Sequence, residues 1–436
     1  MDRSIWMNEC EISSFPQLKN DLQTDVLIIG GGMAGILCAY YLQKQGVRYA
    51  LIESDNVSGG ITSRTTAKIT SQHGLIYHKL LRRFGTDFAR KYWEANEWAI
   101  AQFRILTKSI DCDFLEKDSI LYSTIEDESL SVEMDALRHL QIPAEYVQNL
   151  EIPIKAEGIV FRNQAQFHPL KLVSKIVGDL NIYEHTAARR IDKNSVQTDH
   201  GKITANKIIV ATHFPILNKH GGYFIKLYQD RSYVMALKNA PIYQGMYRDA
   251  DEKGFSFRNY RDYLIIGSGS HRTGKKSSGW QDLELLRQRY YPDAQVISRW
   301  ATQDCISLDS VPYIGQYSRN SPNLYVATGF NKWGMTSSML SAGILSDLVQ
   351  GKENEFAPVF SPSRSVLRPQ LLYNGIESTM NFFMPTVPRC PHMGCALKWN
   401  HQERTWDCPC HGSRFTEDGK LLENPSIKDM KGNQSV

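Results

Sequence analysis

A glycine pattern placed between a buried strand and a helix constrains this chain most. Residues 24–29 form a short, β-branched apolar run, which is typical of a central parallel strand. The turn that follows contains the G-x-G-x-x-G glycines Gly30, Gly32 and Gly35. A helical pattern comes next, and then a second apolar strand, residues 48–53, which ends in Glu53. Strand, glycine turn, helix and strand of this length predict a βαβ unit in a parallel sheet.

Each glycine of this turn has a physical role in binding a dinucleotide. Gly30 permits the tight turn, and Gly32 lets the backbone approach a pyrophosphate bound at the helix N-terminus. Gly35 allows the helix to pack closely on the strand, and Glu53 is placed to accept hydrogen bonds from ribose hydroxyls. The first helical turn adds Met33 and Ala34 to the predicted binding residues. FAD and NAD share this geometry, so the pattern predicts a dinucleotide site without choosing between them.

Composition excludes several classes of protein. The chain has 436 residues, 42% of them hydrophobic and 22% charged, so it can form more than one folded domain rather than a disordered or collagen-like chain. A net charge of +4 does not indicate a nucleic-acid binder. The most apolar stretch, residues 26–42, is interrupted by glycines, which argues against a membrane span. No signal or transit peptide is recognisable at the N-terminus, so we expect a cytoplasmic protein.

Residues 20–352 resemble FAD-dependent oxidoreductases of the D-amino-acid-oxidase type. The resemblance is carried by the glycine turn, Glu53, the strand ending at Thr212, and the segments 309–315 and 327–336. It implies FAD as cofactor, with the flavin ring wrapped by Gly329, Phe330, Met335 and Thr336. It also implies phosphate and ring-edge contacts from Gly60, Arg64, Thr65 and Thr66, and an adenine contact from the backbone of Ala188.

The substrate side of the expected site is less defined by the sequence. Aromatic residues are frequent in 86–150 and 220–300, which fits a helical insertion and a mixed sheet over the flavin. The candidates for setting substrate choice are Tyr228, Arg231, Tyr247, Arg258 and Lys332. No catalytic base is identified, because amine oxidation needs mainly a deprotonated amine positioned at the flavin. Noncovalent flavin is expected, although His73, His213 and Cys305 are conceivable attachment residues.

Cysteine and histidine residues cluster near the C-terminus in a metal-ligand spacing. The four candidate ligands are Cys390, His392, Cys408 and His411, in the pattern C-x-H and C-x-x-H. Two thiolates and two imidazoles suit a Rieske-type [2Fe–2S] cluster, in which each pair binds one iron. The same ligands in paired short spacings also suit a structural Zn²⁺ site. The spacing alone leaves both metal centres open.

The C-terminal segment as a whole resembles a shortened Rieske domain, and the entire chain resembles bacterial FAD-dependent oxidoreductases with a C-terminal Rieske domain. This resemblance implies that Cys395 and Cys410 form a disulfide between the two ligand loops. Ser413 matches a donor to the cluster in high-potential members, whereas Phe415 stands where those members have a tyrosine. We therefore expect an intermediate reduction potential. The strands that usually precede the first ligand loop are not recognisable, so the oxidoreductase body has to support the loops or the cluster is labile.

The expected fold class is α/β, or α+β overall. It combines a Rossmann-like FAD-binding domain with an interleaved mixed-sheet substrate domain and a small all-β Rieske-like module. The predicted ranges are 1–85, 151–220 and 301–352 for the FAD-binding domain, 86–150 and 221–300 for the substrate domain, 353–385 for a linker, and 386–436 for the Rieske-like module.

The expected activity is oxidation of a small amine or amino-acid-like substrate, at a CH–NH or CH–NH₂ group, by hydride transfer to FAD. The [2Fe–2S] cluster then passes electrons singly to an acceptor protein or small carrier. Two alternatives remain open at this point: a flavin and iron–sulfur redox sensor, and an oxidase that uses O₂ and has a structural zinc tail. The substrate, the acceptor and the oligomeric state are not indicated by the sequence.

Overall fold

The structure, a computed structural model, describes residues 3–125, 127–217, 221–364, 369–384 and 388–430, without the side chains of 369–372 and 378. The predicted ranges 1–85, 86–150, 151–220, 353–385 and 386–436 therefore each include at least one residue outside the described part. The helices are α1 Ile5–Glu9, α2 Met33–Lys44, α3 Tyr77–Phe84, α4 Thr86–Thr107, α5 Ser129–His139, α6 Pro169–Ile176, α7 Tyr223–Lys226, α8 Gln281–Tyr290, α9 Gly334–Val349, α10 Ala357–Phe360 and α11 Pro369–Phe383, with a 3₁₀ turn at Ile61–Arg64.

The strands belong to three sheets. In chain order they are β1 Leu22–Ile29, β2 Tyr49–Ile52, β3 Lys68–Ile69, β4 Leu115–Ser123, β5 Glu145–Gln148, β6 Glu157–Gln166, β7 Ile182–Tyr183, β8 Ala188–Ile191, β9 Ser195–Thr198, β10 Lys202–Val210, β11 Leu227–Lys238, β12 Met246–Asp249, β13 Ser256–Tyr260, β14 Tyr263–Arg272, β15 Gln295–Ser307, β16 Tyr313–Gln316, β17 Leu324–Thr328, β18 Lys398–Asn400, β19 Thr405–Asp407, β20 Arg414–Phe415 and β21 Leu421–Glu423.

The first sheet has the parallel core that the glycine pattern predicts. Its main path is β16-β17-β10-β1-β2-β7, with β9 attached to β10 and β8 to β9. β1 lies between β10 and β2 and is parallel to both. Its residues 26–29 are buried, as expected for a strand covered on both faces. The α2 and α9 helices pack on each other over this sheet, and their interiors are almost entirely buried.

The second sheet is mixed and forms the roof of the site. Its main path is β15-β11-β14-β13-β12-β4-β6-β3, with β5 attached to β6. All of these pairs are antiparallel except β12 with β4. Strands from both halves of the chain contribute to it, so the sheet is interleaved with the first one. The Gly267–Gly269 sequence lies inside β14 and not at a strand-to-helix turn.

The third sheet is a small antiparallel one, β18-β19-β20-β21. The preceding segment, 353–385, was predicted as a linker, but its described part contains α10 and α11. The division into domains stays a prediction, whereas the α/β class with a mixed second sheet and an all-β C-terminal module is confirmed. Among the described residues, no helix is both long and apolar enough to span a bilayer.

Candidate functional site

A large cavity opens at the carboxyl edge of the parallel strands. Its volume is about 1140 Å³. Residues at or just after the ends of four parallel strands line it: Ile29 and Gly30, Ile52 and Glu53, Ala211 and Thr212, and Ala327 and Phe330. Open α/β sheets bind their ligands at this edge because the loops and helix N-termini meet there. The cavity is therefore where the predicted dinucleotide has to lie.

The glycine turn fits the predicted pyrophosphate contact. Gly30 has φ +112°, and a Cβ there would lie 2.6 Å from the Ala211 carbonyl oxygen. Gly32 caps α2 without a side chain and lines the cavity, so an anion can approach this helix end, although the Met33 amide donates to the Thr62 hydroxyl at 2.9 Å. A Cβ at Gly35 would lie 1.9 Å from the Gly30 carbonyl oxygen, so α2 can pack this closely on the turn only because residue 35 has no side chain. Met33 and Ala34, which the sequence also predicts as binding residues, line the cavity.

Glu53 lines the cavity and is held by its own loop. Its Oε2 accepts a hydrogen bond from the Gly31 amide at 2.7 Å, and its Oε1 accepts one from the Asp55 amide at 2.9 Å. This arrangement fixes the carboxylate at the end of β2, with room on the cavity side for ribose hydroxyls. Ala188, the predicted adenine contact, also lines this part of the cavity.

The residues predicted around the flavin ring divide into two groups. Phe330 and Met335 line the cavity, as do Gly60, Arg64, Thr65 and Thr66. Gly329 and Thr336 are not among the residues that line the cavity. Gly329 has φ +71°, and the Thr336 hydroxyl lies 3.3 Å from His73 Nε2, behind the cavity wall. The carbonyl oxygens of Arg64 and Thr65 accept hydrogen bonds from Trp300 Nε1 and Trp6 Nε1, which fixes this loop against the body.

Of the five side chains considered for substrate choice, Lys332 alone is part of this cavity wall as the structure describes it. Arg231 is fully buried beneath the wall, and Arg258 donates to the carbonyl oxygens of Thr66 and Ala67. Tyr247 donates to Glu151, and Tyr228 lines a separate surface pocket. Among the conceivable attachment residues, His213 lines the cavity, whereas His73 and Cys305 are buried outside it.

Three charged residues of the substrate end were not anticipated from the sequence. Lys68 and Arg248 line the cavity, and each donates to backbone carbonyls, Lys68 Nζ to Tyr247 O at 3.0 Å and Arg248 to Glu252 O at 3.0 Å. Burial lowers the pKa of both side chains. Asp304 lines the same end from β15. Their positions depend on strand pairing between distant segments, so sequence spacing carries no signal for them.

The two C-terminal ligand loops have the same backbone construction. The Cys390 carbonyl accepts a hydrogen bond from the Gly394 amide at 2.9 Å, and the Cys408 carbonyl accepts one from the Gly412 amide at 2.9 Å. Both glycines have positive φ, +77° and +84°. Two similar turns thus bring the two cysteine and histidine pairs to face one another.

The four predicted ligands form two side-chain pairs, in which Cys390, Cys408 and His411 are buried and His392 is half-buried. The thiol groups of Cys390 and Cys408 are hydrogen-bonded to each other, and the imidazole rings of His392 and His411 lie 4.9 Å apart. Burial lowers the pKa of His392 to about 4 and that of His411 to about 3, so both rings are neutral, as ligands must be. Among the described residues, both nitrogens of His411 are buried without a hydrogen bond of ordinary geometry, which fits a metal-bound ring.

The remaining cysteine pair lies beside this cluster. Cys395 and Cys410 are joined as a disulfide, with their Cα atoms 6.8 Å apart. The pairing links one ligand loop to the other, as the resemblance implied. The donor set of two thiols and two imidazoles, with a separate cysteine pair bridging the loops, fits a Rieske-type cluster.

The ligand loops are docked on the oxidoreductase body through two buried amide side chains. Gln229 Nε2 donates to the His411 carbonyl at 2.7 Å, and Gln303 Nε2 donates to the Gly412 carbonyl at 2.9 Å. The two amides are also joined to each other, since Gln303 Nε2 donates to Gln229 Oε1 at 2.8 Å. Both glutamines line the dinucleotide cavity as well. They therefore contact the cavity on one side and the ligand loop on the other.

A buried network of ion pairs strengthens the same interface. Arg231 of β11 pairs with Glu403 and Glu423, and Arg414 pairs with both of these acids and with Asp407. Burial alone would raise the pKa of Glu403, but the two arginines lower it to about 2. Glu423 also lies 3.6 Å from Arg64 of the cavity wall. Ion pairs that are buried away from water thus fix the C-terminal module to the oxidoreductase body.

The module also completes the cavity. Residues on β21 and in the segment that follows it form one wall: Leu421, Leu422, Glu423, Asn424, Ser426, Ile427, Lys428 and Asp429. Asn424 Nδ2 donates to the carbonyl oxygens of Thr212 and Phe214, next to the end of β10. The dinucleotide cavity is therefore built by both parts of the chain.

Comparison with known proteins agrees with both halves of this site. Residues 25–348 match the family model DAO, described as FAD dependent oxidoreductase, and residues 378–432 match the Rieske [2Fe-2S] domain. The chain is 37% identical to the Rieske 2Fe-2S iron-sulfur protein YhfW of Bacillus subtilis (strain 168), over 98% of this chain and 97% of that protein. It is 22% identical to gamma-glutamylputrescine oxidoreductase of Escherichia coli (strain K12), over 78% of this chain and 87% of that protein.

A solved structure shares the fold of the larger part. Glycine oxidase from Geobacillus kaustophilus superposes with a TM-score of 0.66 and 20% identity, over 79% of this chain and 100% of that chain. The predicted cofactors, FAD and a Rieske-type [2Fe–2S] cluster, are confirmed by the two family matches. The chain accordingly belongs to the DAO family of FAD-dependent oxidoreductases and carries a C-terminal Rieske [2Fe–2S] domain.

Proposed function

We propose that this oxidoreductase oxidises a small amine or amino-acid-like substrate and passes the electrons singly through its Rieske cluster to an acceptor. FAD, when bound, accepts a hydride equivalent, and the cluster, when bound, carries one electron at a time. We propose Cys390, His392, Cys408 and His411 as the cluster ligands. The acceptor is a protein or small carrier, and the expected location is the cytoplasm.

The shared wall between cavity and cluster loop carries this proposal. Gln229 and Gln303 line the cavity and bond the carbonyls of His411 and Gly412, so little beyond two side chains separates the two cofactor sites. Phe214 and Phe224 place their rings 6.1 and 6.3 Å from the His411 ring. A site built for an isolated flavin oxidase has no need for such an interface.

The charges at the substrate end support an amino-acid-like substrate. Lys68 and Arg248 are held by carbonyl oxygens and not by carboxylates in the described structure, so they can attract a carboxylate of the substrate. Relatives named gamma-glutamylputrescine oxidoreductase, glycine oxidase and L-proline dehydrogenase support a CH–NH or CH–NH₂ donor.

The relay is tested by removing a proposed ligand. The Cys408→Ala variant, which removes a sulfur from the cluster site, is photoreduced without oxygen and mixed with cytochrome c as a one-electron acceptor. We expect flavin to remain bound and reducible, while cytochrome c reduction slows by about tenfold or more. Cys10→Ala is the matched control, because Cys10 lies outside both cofactor sites.

Two further measurements decide the interpretation of that result. Iron analysis and electron paramagnetic resonance of the reduced protein establish whether Cys408→Ala has lost the cluster. If the cluster is lost and cytochrome c reduction keeps its rate, the relay is wrong. Reoxidation by O₂ with stoichiometric hydrogen peroxide would then favour an ordinary oxidase.

A further inference from the structure

A carboxylate faces the cavity at its substrate end without a role in the relay. Asp304 lies on β15, directly after Gln303, and its side chain forms part of the cavity wall. In the pairing of β15 with β11, Asp304 stands opposite Asp230. Two acids are therefore neighbours on this edge of the substrate sheet. Such a pair requires nearby positive charge, or one of the two acids is left uncompensated.

Lys332 compensates one of these acids. Its Nζ lies 3.6 Å from Asp230 Oδ2 and donates a hydrogen bond to the Ser270 hydroxyl, which itself donates to Asp230 at 3.4 Å. Asp230 and Ser270 thus position the lysine. For the part of the chain that the structure describes, no hydrogen bond to the Asp304 carboxylate is found.

The other cations near Asp304 form no ion pair with it among the described residues. Arg231 is bound to Glu403 and Glu423, and Arg248 donates to the carbonyls of Glu252 and Gly254. Asp304 is therefore a cavity-facing acid whose charge is only partly balanced by its surroundings.

The position of Asp304 relative to the planar part of the cofactor follows from its neighbours. Lys332 belongs to the loop before α9, and Phe330, Trp333 and Met335 of that stretch line the cavity. This apolar wall suits a flat ring system. Asp304 interacts electrostatically with Lys332 and so lies near this apolar wall.

Asp304 also has the acidity that a proton acceptor needs. Burial raises its pKa to about 6, with Lys332 acting in the opposite direction and Asp230 in the same one. A group with a pKa near the working pH is both ionised and able to take a proton.

We propose that Asp304 binds the ammonium group of the substrate and takes its proton before oxidation. This inference rests on the proposed function. An N–H bond of the ammonium breaks, the proton moves to the Asp304 carboxylate, and the electron pair remains on nitrogen. The neutral amine can then lose the hydride of its adjacent C–H bond, for which FAD, when bound, would be the two-electron acceptor. The substrate becomes a protonated imine, and Asp304 later releases its proton to water.

The test uses the flavin-loaded protein and needs no turnover. The visible flavin spectrum is recorded between roughly pH 5 and pH 8, because the titration of a charge beside the ring changes the absorbance. The charged groups facing Asp304 are Lys332 from the loop before α9, Asp230 and Arg231 from β11, and Arg248 from β12.

Wild-type protein should show one transition near pH 6. Methylammonium, used as the probe, should lower the midpoint by about one pH unit or more, since a bound cation stabilises the carboxylate. The Asp304→Asn variant should lose the transition, and Asp304→Glu should restore it. Asp251→Asn is the matched control, because Asp251 is exposed outside this cavity.

The proposal fails if the wild type shows no transition, if Asp304→Asn retains it, or if methylammonium leaves the midpoint unchanged. Flavin stoichiometry in each variant excludes misfolding as the cause of a lost signal. Because the assay does not use the cluster or an acceptor, failure of the relay leaves this result unaffected. If the pH transition behaves as expected but cytochrome c is not reduced, the proposed role of Asp304 stands and the relay is wrong.

Discussion

At the scale of single residues, Gly35 is the tightest point of the dinucleotide turn. Its α-carbon faces the Gly30 carbonyl so closely that a Cβ would lie 1.9 Å from the oxygen. The obstructing atom belongs to the backbone, so it cannot move as a side-chain end would. The spacing between α2 and β1 therefore depends on the absence of a side chain here.

We expect Gly35→Ala to separate α2 from β1 and to distort the pyrophosphate site. The cost is about 1–3 kcal/mol of folding stability, as for other overpacked positions, together with loss of bound FAD. The flavin-to-protein absorbance ratio and the thermal midpoint measure the two effects. Gly178→Ala is the control, because a Cβ at Gly178 would meet no atom within 4 Å. Full flavin content in Gly35→Ala would contradict the packing argument.

The residues that the sequence could predict are those of local motifs. The glycine turn, Glu53 and the four Cys and His ligands each lie within a short stretch whose spacing has a physical meaning. Asp304, Gln229 and Gln303 could not be predicted, because their positions depend on the pairing of β11 with β15 and on where the module docks. Arg231 was one of five candidates for setting substrate choice, but it lies under the cavity wall and pairs with acids of the module.

At the scale of elements, the contact between β11 and the Rieske sheet depends on buried charge. Arg231 has no exposed side-chain surface, and Glu403 is 1% exposed. Replacing the arginine leaves acids without their counter-charge in a low-dielectric interface. Such a loss is far more costly than the loss of an exposed pair.

Arg231→Met should therefore lower stability by about 3–5 kcal/mol and release the module from the body. Denaturant unfolding and hydrogen exchange of β18–β21 measure these effects. Arg162→Met is the comparison, since Arg162 pairs with Asp118 and Glu145 at an exposed site, and its loss should cost about 1 kcal/mol or less. Equal effects of the two substitutions would show that the network does not hold the module.

Acid should weaken the same contact in a defined range. The folded-state pKa of Glu403 is about 2, below the value of about 4.3 for an unfolded chain. Its stabilising contribution is therefore complete above about pH 4.3 and is lost as the pH falls toward 2. Hydrogen exchange of the module at a series of pH values measures this loss. Glu403→Gln should remove that part of the pH dependence; an unchanged profile would assign the acid sensitivity to other groups.

The predicted elements were most accurate where hydrophobic periodicity was strong. β1, α2 and β2 lie within a few residues of the expected bounds, because a central parallel strand and its crossover helix have clear apolar patterns. The helices of segment 353–385 were not predicted. α11 is fixed by contacts with distant residues, such as Asn374 Nδ2 donating to Ile225 O at 3.1 Å, and its outer face exposes several large apolar side chains.

At the scale of the whole molecule, the body replaces the strands that a longer Rieske domain would supply. Arg272 of β14 donates to the carbonyls of Pro409 and Cys410 at 3.0 and 3.1 Å, and a Cβ at Gly274 would lie 2.7 Å from the Pro409 nitrogen. The second ligand loop thus rests directly on the substrate sheet. The oxidoreductase body thus supports a ligand loop of the shortened module. No local sequence pattern could have indicated this contact.

Such docking predicts an internal electron transfer that needs no domain movement. The rate of the flavin-to-cluster step, followed by rapid-reaction spectroscopy, should change less than about twofold when glycerol increases the viscosity or salt is raised to about 1 M, since buried pairs are screened little. The later step to cytochrome c, a diffusional encounter, should slow in both media and serves as the internal control. If the flavin-to-cluster step slowed in proportion to viscosity, the Rieske module would have to move relative to the body during electron transfer.

The wall that residues 421–429 contribute to the cavity also bears on how the protein matures in the cell. The glycine turn leaves the ribosome early, but the opposite wall follows only after roughly tens of seconds of further translation. Until then the flavin has an open, one-sided groove and is free to exchange with the cell's pool. We therefore expect lasting retention of the flavin to require the folded iron–sulfur module, so that protein made during a shortage of iron lacks flavin as well as iron.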